Sequence, residues 1–139
     1  MNDIELLREK IKTLKEKVST LNILVVDDEE QLREKTGDFM EKFFNKVDCA
    51  EDGEIALKMF NEDPSYDIII TDLQMPKMTG DELIKAVKAI DSNLFAVSMT
   101  GTPDMDDEIR QMFDICLVKP VGLDDMLKMM GVLAEKKKL

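Results

Sequence analysis

The sequence predicts an α/β protein in which a parallel sheet is covered by helices on both faces. Between residues 22 and 139, short apolar runs alternate five times with amphipathic stretches, as in a series of strand and helix pairs. The apolar runs are nearly continuous, which is typical of strands buried on both faces. A chain of 139 residues can bury the core of one ordinary domain and leaves little room for a second. We therefore expect one α/β domain over residues 22–139.

The elements of this domain follow from the apolar pattern. Strands are predicted at Asn22–Val26, Val47–Ala50, Asp67–Thr71, Leu94–Met99 and Ile115–Val118. Between them, apolar residues recur at the spacing of helices with one face on the core: Leu32, Phe39 and Phe43; Leu83, Val87 and Ile90; Met105, Ile109 and Met112; and Leu123, Met126, Leu127 and Met130. Met126, Met129 and Met130 are candidates for an adaptable partner surface, but their spacing favours a place in the core.

Residues 1–21 form a separate segment with the pattern of an amphipathic helix. Its apolar residues alternate spacings of three and four, which makes a heptad seam: Ile4, Leu7, Ile11, Leu14, Val18 and Leu21. Isoleucine or valine at the first position and leucine at the second favour parallel two-stranded coiled coils, although three heptads are marginal alone. In a parallel homodimer Lys10 would face the partner's Lys15, so an acidic partner helix fits better. The alternative is a helix that folds back on its own domain or fills a linker.

The charge of the chain argues against some classes of partner. Acidic side chains outnumber basic ones by 30 to 19. Residues 1–21 hold 4 acids and 5 bases, which leaves 26 against 14, a net charge of about −12, in residues 22–139. A surface of this sign repels nucleic acid and anionic lipid. No apolar stretch reaches the roughly 20 residues that a membrane span requires. We expect a cytoplasmic protein that contacts neither DNA nor membrane directly.

Cysteine and histidine usage narrows the chemistry. Cys49 and Cys116 lie far apart in short apolar runs, outside any CxxC or Cys/His cluster, and are expected to be buried reduced thiols. The chain contains no histidine, which removes the usual general base, the commonest metal ligand and any histidine phosphocarrier role. A phosphoryl group would have to come from another molecule.

Five polar residues stand at the ends of four predicted strands. Asp27 and Asp28 follow the first strand, Asp72 the third, Thr100 the fourth and Lys119 the fifth. Open parallel sheets form their binding crevice at the carboxyl ends of the strands, near the point where the strand order reverses. Each residue alone would mean little, because acidic pairs are common on solvated loops. Together they predict one site at this edge of the sheet.

Clustered carboxylates predict a hard cation. They repel one another and raise each other's pKa unless a cation or a proton compensates their charge. Mg²⁺ prefers octahedral oxygen ligands and keeps several waters, so one or two carboxylates, a backbone carbonyl and a phosphate oxygen would suit it. In phosphoryl transfer a protein chiefly positions groups and neutralises charge, which a metal ion, an ammonium and a hydroxyl can share. Lys119 and Thr100 would supply the last two.

Four segments of the chain resemble the receiver domain of two-component response regulators, over nearly all of residues 22–139. The segments are Ile23–Glu29, Ile70–Gly80, Met99–Gly101 and Leu117–Pro120. The resemblance implies a flavodoxin-like doubly wound fold, with five parallel strands in the order 2-1-3-4-5. On that order Cys49 and Cys116 lie on opposite edge strands, roughly 19 Å apart, too far for a disulfide.

The same resemblance implies a role for each site residue. Asp72 is the phosphoryl acceptor, Asp28 a direct metal ligand, Asp27 a ligand mostly through water, and Gln74 a ligand through its backbone carbonyl. The implied metal is Mg²⁺, with Mn²⁺ as the alternative. Thr100 swings toward the phosphoryl oxygens, Lys119 bridges to them, and the peptide bond before Pro120 is cis. Gln74, Gly101 and Thr102 flank the phosphoryl group.

The sequence departs from the receiver pattern on the side that commonly carries output. Family members often have an aromatic switch residue in the fifth strand, where this chain has Cys116. A glycine usually stands near the position of Met112, and the stretch from Thr100 to Lys119 is short. We therefore expect a short, irregular or mobile helix in this stretch.

Three functions compete as interpretations of these residues. The first is a stand-alone receiver, phosphorylated on Asp72 by a histidine kinase or phosphotransfer protein and acting on an unknown downstream protein. The second is a receiver module of a larger hybrid kinase, or a phosphate sink, with residues 4–21 as an oligomerisation or docking element. The third is an aspartyl-phosphate phosphohydrolase, which usually needs a second aspartate two residues after the nucleophile. Position 74 is glutamine, which argues against this enzyme.

Overall fold

A five-stranded parallel sheet lies between helices in the computed structural model, which describes residues 1–102 and 105–139. The strands are β1 (Asn22–Val26), β2 (Lys46–Ala50), β3 (Ile68–Asp72), β4 (Phe95–Thr100) and β5 (Ile115–Val118). The helices are α1 (Asp3–Val18), α2 (Glu30–Glu41), α3 (Gly53–Glu62), α4 (Gly80–Ile90), α5 (Asp107–Arg110) and α6 (Leu123–Lys136). The strand order is β2-β1-β3-β4-β5, which confirms the predicted doubly wound fold.

The strand predictions agree with the structure to within one residue at each end. β1 and β5 have the predicted bounds, β2 begins one residue earlier, and β3 and β4 are displaced by one residue toward the C-terminus. The displacement brings Asp72 and Thr100 into the ends of their strands rather than just beyond them. Polar residues end these strands, and an apolar pattern alone does not mark the last hydrogen-bonded residue.

Alternate residues of β1 show how the sheet is buried on both faces. Ile23 and Val25 belong to one hydrophobic cluster, whereas Leu24 and Val26 belong to another. Side chains of successive strand residues point to opposite faces, so a continuous apolar run serves two cores at once. The first core lies under α1, α2 and α6, and the second lies under α3 and α4. Met126, Met129 and Met130 are buried in the first core, which confirms the core assignment.

Three residues predicted to be buried are exposed. Ile90 is 56 % exposed because it is the last residue of α4, and Leu123 is 43 % exposed because it is the first residue of α6. Cys49 is exposed on the edge strand β2, where its sulfur faces Gly37 of α2. A glycine has no side chain with which to cover it. Cys116 is partly buried, and both cysteines are free thiols.

The short helix predicted between β4 and β5 is present. α5 contains only four residues, Asp107–Arg110, and Ile109 and Met112 pack against the second core without being fully buried. Residues 103 and 104 of the same stretch lie outside the part of the chain that the structure describes. Within residues 1–102 and 105–139, no helix is long and apolar enough to cross a membrane.

The heptad seam that begins in α1 has two halves with different surroundings. Leu14, Val18 and Leu21 are buried in the first core, and α1 packs against α6. Ile4 and Leu7, at the other end of the seam, are exposed. The alternative in which the helix folds back on its own domain therefore holds for the C-terminal half of the seam. A homodimer seam over the whole of residues 4–21 is wrong for this structure, because α6 already covers that half.

Alanine substitutions should separate the two halves of α1. Leu14→Ala should lower the free energy of unfolding by about 2 kcal/mol or more, since it removes a side chain that is only 6 % exposed in the first core. Ile4→Ala should change it by less than about 0.5 kcal/mol, because Ile4 is exposed. Urea denaturation followed by circular dichroism measures both. Equal effects of the two substitutions would contradict the packing of α1 on α6.

Candidate functional site

Strand register brings the predicted polar residues to one edge of the sheet. Val26 pairs with Thr71 of β3 and with Ala50 of β2, so Asp27 follows β1 at the level of Asp72. Asp72 in turn pairs with Met99, and Thr100 pairs with Val118. The backbone N–H of Lys119 donates to the carbonyl of Thr100 at 2.7 Å, which fixes the start of the loop after β5. Four segments distant in sequence therefore meet at this edge.

Three carboxylates form the centre of the site. One oxygen each of Asp27, Asp28 and Asp72 lies within 4.8 Å of the other two. Asp27 is 1 % exposed, the Asp72 side chain is 13 % exposed, and Asp28 is open to solvent. Hard oxygen donors, one of them open to water, form the donor set that Mg²⁺ prefers, because this ion keeps part of its water shell. The residues present therefore fit a divalent cation.

Lys119 is the cation that the chain itself brings to these carboxylates. Its Nζ lies 3.2 Å from Oδ2 of Asp27 and 3.2 Å from Oδ2 of Asp72. Burial lowers the pKa of the Lys119 ammonium, but the charges of Asp27 and Asp72 outweigh this effect, so its pKa is raised above the ordinary value. Lys119 therefore stays positively charged between the two carboxylates.

Burial dominates the ionisation of Asp72. It raises the pKa of the Asp72 carboxyl above its usual value, and the nearby charge of Lys119 offsets part of the rise. The charge of Asp27 raises the pKa further, and the N–H of Gln74, 3.4 Å from Oδ1, lowers it slightly. A buried carboxylate with few hydrogen bonds keeps its lone pairs available, which suits a nucleophile.

Asp27 is held in place by three backbone contacts. Its N–H donates to the carbonyl of Ala50 at 3.2 Å, and its Oδ1 accepts from the N–H of Glu29 at 3.0 Å. The Arg33 guanidinium donates to the Asp27 carbonyl at 3.0 Å. Arg33 was not predicted from the sequence, where its only signal is a basic residue in the first turns of the helix that follows Asp27. These contacts orient Asp27 so that its Oδ2 faces Nζ of Lys119.

The loop after Asp72 is fixed at both ends. The N–H of Leu73 donates to the carbonyl of Met99 at 3.2 Å, and the N–H of Gly80 donates to the carbonyl of Leu73 at 2.9 Å. A Cβ at Gly80 would lie 2.3 Å from the carbonyl oxygen of Asp72, so only glycine permits this approach. Thr79 and Glu82 form a capping box at the start of α4. The loop therefore enters α4 directly behind the end of β3.

A second contact ties the loop to α3. Asp52, 4 % exposed, accepts from the N–H of Ile55 at 2.9 Å and caps that helix. Its other oxygen lies 3.5 Å from Nζ of Lys77, a residue with a φ of 70°. This left-handed conformation is uncommon for a residue with a side chain. Asp52 was not predicted, although an aspartate before Gly53 and an apolar run is a recognisable N-cap signal.

Thr100 is near the site but faces its own loop. It is 5 % exposed, its Oγ1 accepts from the N–H of Thr102 at 3.2 Å, and the two hydroxyl oxygens are 3.3 Å apart. A cavity of about 250 Å³ borders Thr100, Thr102 and Gln74. Gln74, Gly101 and Thr102 are exposed, and their predicted place beside a phosphoryl group stays a prediction. The predicted role of the Gln74 carbonyl stays a prediction.

The loop after β5 forms one wall of a larger cleft. The Lys119–Pro120 peptide bond is cis, as the resemblance implied. Beside it lies a cleft of about 640 Å³ between α2 and the start of α6. Its lining is mostly apolar and includes Leu32, Phe39 and Met126, with Asp27 and Lys119 at one end. The cleft therefore adjoins the carboxylates directly.

The sequence model of the response regulator receiver domain matches residues 23–131. This chain belongs to the response regulator receiver family. The matched range begins at β1 and leaves α1 outside it.

Individual relatives agree with this assignment. The sensor histidine kinase RcsC of Salmonella typhi is 31 % identical over 117 residues, which cover 82 % of this chain and 12 % of RcsC. A receiver domain structure from Clostridium thermocellum superposes with a TM-score of 0.77 at 28 % identity, covering 85 % of this chain and 97 % of that one. The response regulator TrrA of Thermotoga maritima, solved with Mg²⁺ and BeF, gives a TM-score of 0.74 at 28 % identity and coverages of 82 % and 99 %.

The chain is short compared with many of its sequence relatives. It spans between 9 % and 17 % of the length of seven curated proteins that it matches. In such proteins the receiver is one part of a longer sequence. The similarity therefore concerns the receiver and not the whole protein.

Substitutions at two glycines should test the contact behind Asp72. Gly80→Ala should lower the free energy of unfolding by about 1–3 kcal/mol, because the new methyl group clashes with the Asp72 carbonyl. Gly131→Ala in α6 should raise it by about 0.5–1 kcal/mol, because among the described residues no atom beyond the adjacent helix backbone lies within 4 Å of the added Cβ, and alanine favours a helix. Urea denaturation measures both. A neutral Gly80→Ala would show that the contact is not tight.

Proposed function

We propose that this chain is a phosphorylation-dependent switch in which Asp72 accepts a phosphoryl group from a histidine kinase or a phosphotransfer protein. The observation that carries the proposal is the position of the Lys119 ammonium, 3.2 Å from both Asp72 and Asp27. It places a fixed positive charge where phosphoryl oxygens would arrive. Electrostatic stabilisation of this kind usually lowers the barrier to such a transfer more than any other single effect.

The residues divide the work of the transfer. A carboxylate oxygen of Asp72 attacks the phosphorus, and the bond from phosphorus to the donor nitrogen breaks as the new P–O bond forms. Lys119 neutralises charge on the phosphoryl oxygens, and the Thr100 hydroxyl donates to one of them after leaving Thr102. Asp27 and Asp28, with Asp72 and the Gln74 carbonyl, would hold the divalent cation. When bound, Mg²⁺, or Mn²⁺ in its place, compensates the carboxylate charge and orients the phosphoryl oxygens.

The acceptor would change its own state rather than turn over a separate substrate. We therefore regard the chain as a switch that assists its own phosphorylation and dephosphorylation, and not as an enzyme in the ordinary sense. Gln74 stands where aspartyl-phosphate phosphohydrolases usually need a second acid, and it is exposed beside Thr100. The cytoplasmic location and the downstream protein target stay predictions.

The apolar cleft beside Lys119 supports a protein as the phosphoryl donor. A donor side chain must approach Asp72 closely, so the rest of the donor must cover the surface around it. The cleft offers Leu32 and Phe39 of α2, and it reaches the site at Asp27 and Lys119. A protein with a convex apolar residue beside its phosphohistidine would bury this surface, which a small phosphodonor would leave exposed.

The length of the sequence relatives favours a second candidate arrangement, in which Asp72 has the same chemistry. Relatives such as RcsC are much longer than this chain, so the receiver also works within larger sensor kinases. A hybrid-kinase module or a phosphate sink would use Asp72 in the same way. It would differ in passing the phosphoryl group on, or in losing it, instead of binding an output protein.

Beryllofluoride, which imitates a phosphoryl group, should test the acceptor. With Mg²⁺ and beryllofluoride, the wild-type protein should give bound resonances in a ¹⁹F NMR spectrum, and Asp72→Asn should give none. Asp124→Asn, an exposed substitution on α6, is the matched control and should bind as the wild type does. If Asp72→Asn binds as the control does, Asp72 is not the acceptor.

The metal role should show in the Mg²⁺ dependence of this binding. Asp28→Asn should raise the Mg²⁺ concentration for half-maximal binding by about tenfold or more, since loss even of an outer-shell partner has an effect of that size. Glu30→Gln removes a nearby exposed charge outside the carboxylate cluster and should have little effect. The same NMR titration measures both. If both variants shift this Mg²⁺ concentration equally, Asp28 acts only through its negative charge and is not a metal ligand.

A further inference from the structure

We infer that the N-terminal end of α1 is a docking surface for an acidic amphipathic helix of another protein. The surface consists of Ile4 and Leu7 together with the basic residues Arg8 and Lys10, and we call it the N-terminal knob. It lies outside the matched receiver range, and the inference does not depend on the proposed chemistry of Asp72.

The apolar part of the knob is uncovered. Ile4 is 64 % exposed and Leu7 is 39 % exposed. Among the described residues, eight large hydrophobic side chains are exposed, and four of them, Met1 included, fall within the first seven residues. Single exposed apolar residues are ordinary, whereas a group of them marks an interaction site.

The seam continues from the knob into a helix pair that already exists. Ile11 packs against the first core, and Leu14 and Val18 are buried in it, where α1 contacts α6. Ile4 and Leu7 continue the same seam one and two turns earlier. A helix that covers them would therefore extend an established helix–helix interface, and α1 would reach it already ordered, which lowers the entropic cost of binding.

The charges beside the seam define the partner. After the first turn, the four positions that flank the seam are all basic: Arg8, Lys10, Lys15 and Lys17. Glu9 and Glu16 fall on the opposite side of the helix by heptad spacing. Among residues 1–102 and 105–139, no charged side chain of α1 forms an ion pair within 4.0 Å. The basic flanks are thus free to pair with acidic residues of a partner. The positive N-terminal end of the helix dipole also favours acidic residues nearby.

A second copy of this chain fits the knob less well. In a parallel pair, Lys10 would face the partner's Lys15, and α6 already occupies the seam from Leu14 onward. Residues 22–139 carry a net charge of about −12, so two bodies repel each other. An acidic helix from another protein that covers only Ile4 to Ile11 avoids the lysine conflict and does not compete with α6, and it gains attraction from the basic residues on both flanks.

The experiment uses the full chain and a pair of synthetic peptides of about two heptads, long enough to cover the seam from Ile4 to Ile11, both with leucine at the a and d positions. One carries glutamate and the other lysine at the e and g positions. Fluorescence anisotropy at low salt should show saturable binding of the acidic peptide and about tenfold weaker binding, or none, for the basic one. Higher salt should weaken the acidic complex.

Three full-length variants identify the surface. Ile4→Ser/Leu7→Ser should weaken the acidic peptide at least about tenfold, without loss of fold, since both residues are exposed. Ile90→Ser, at an exposed isoleucine on α4, is the matched control and should bind as the wild type does. Arg8→Glu/Lys10→Glu should reverse the preference toward the basic peptide.

Three results would overturn the inference. Equal binding of both peptides to the wild type, or unchanged binding by Ile4→Ser/Leu7→Ser, would exclude the knob as an acidic-helix site. The third comes from sedimentation. Self-association of the wild type that Ile4→Ser/Leu7→Ser abolishes would make the occupant a second copy and not an acidic helix.

Discussion

Electrostatic balance at the carboxyl edge of the sheet is the constraint on which the site depends. Three carboxylates meet within 4.8 Å, and the chain supplies one ammonium, Lys119, to compensate them. This leaves excess negative charge in a partly buried place, which favours the binding of a divalent cation. The sheet order brings these groups together, because β1, β3, β4 and β5 all end at the same edge. Fold and chemistry are thus linked through strand register.

The features best predicted from the sequence were those with a repeating or local signal. Continuous apolar runs located both β1, which is buried on both faces, and β5, an edge strand that is only partly buried. Asp27, Asp72 and Lys119 could be placed because each directly follows or ends such a run. Ile90 and Leu123 were assigned to the core by spacing, which cannot tell a helix interior from its ends. Asp52 has a local N-cap signal, whereas no spacing rule reports the contact of Arg33 with the Asp27 carbonyl.

The N-terminal helix shows a different limit of sequence reasoning. The heptad pattern from Ile4 to Leu21 is uniform, yet its two ends have different surroundings. A heptad seam indicates that one face of a helix will be buried, but it does not identify the element that buries it. Here α6 covers Leu14 and Val18, so part of α1 belongs to the same core as β1. The receiver range and the folded unit therefore differ in extent.

The contact between Gly80 and the Asp72 carbonyl has a mechanical consequence. Because Gly80 begins α4, β3 and this helix meet without an intervening side chain. A flexible side chain at the contact would absorb a small displacement by changing its rotamer, whereas closely approaching backbones have no such freedom. A shift of the Asp72 backbone would therefore press on the start of α4, whose exposed far end is Ile90. Such a route from β3 to the surface would not pass through β5 and Cys116.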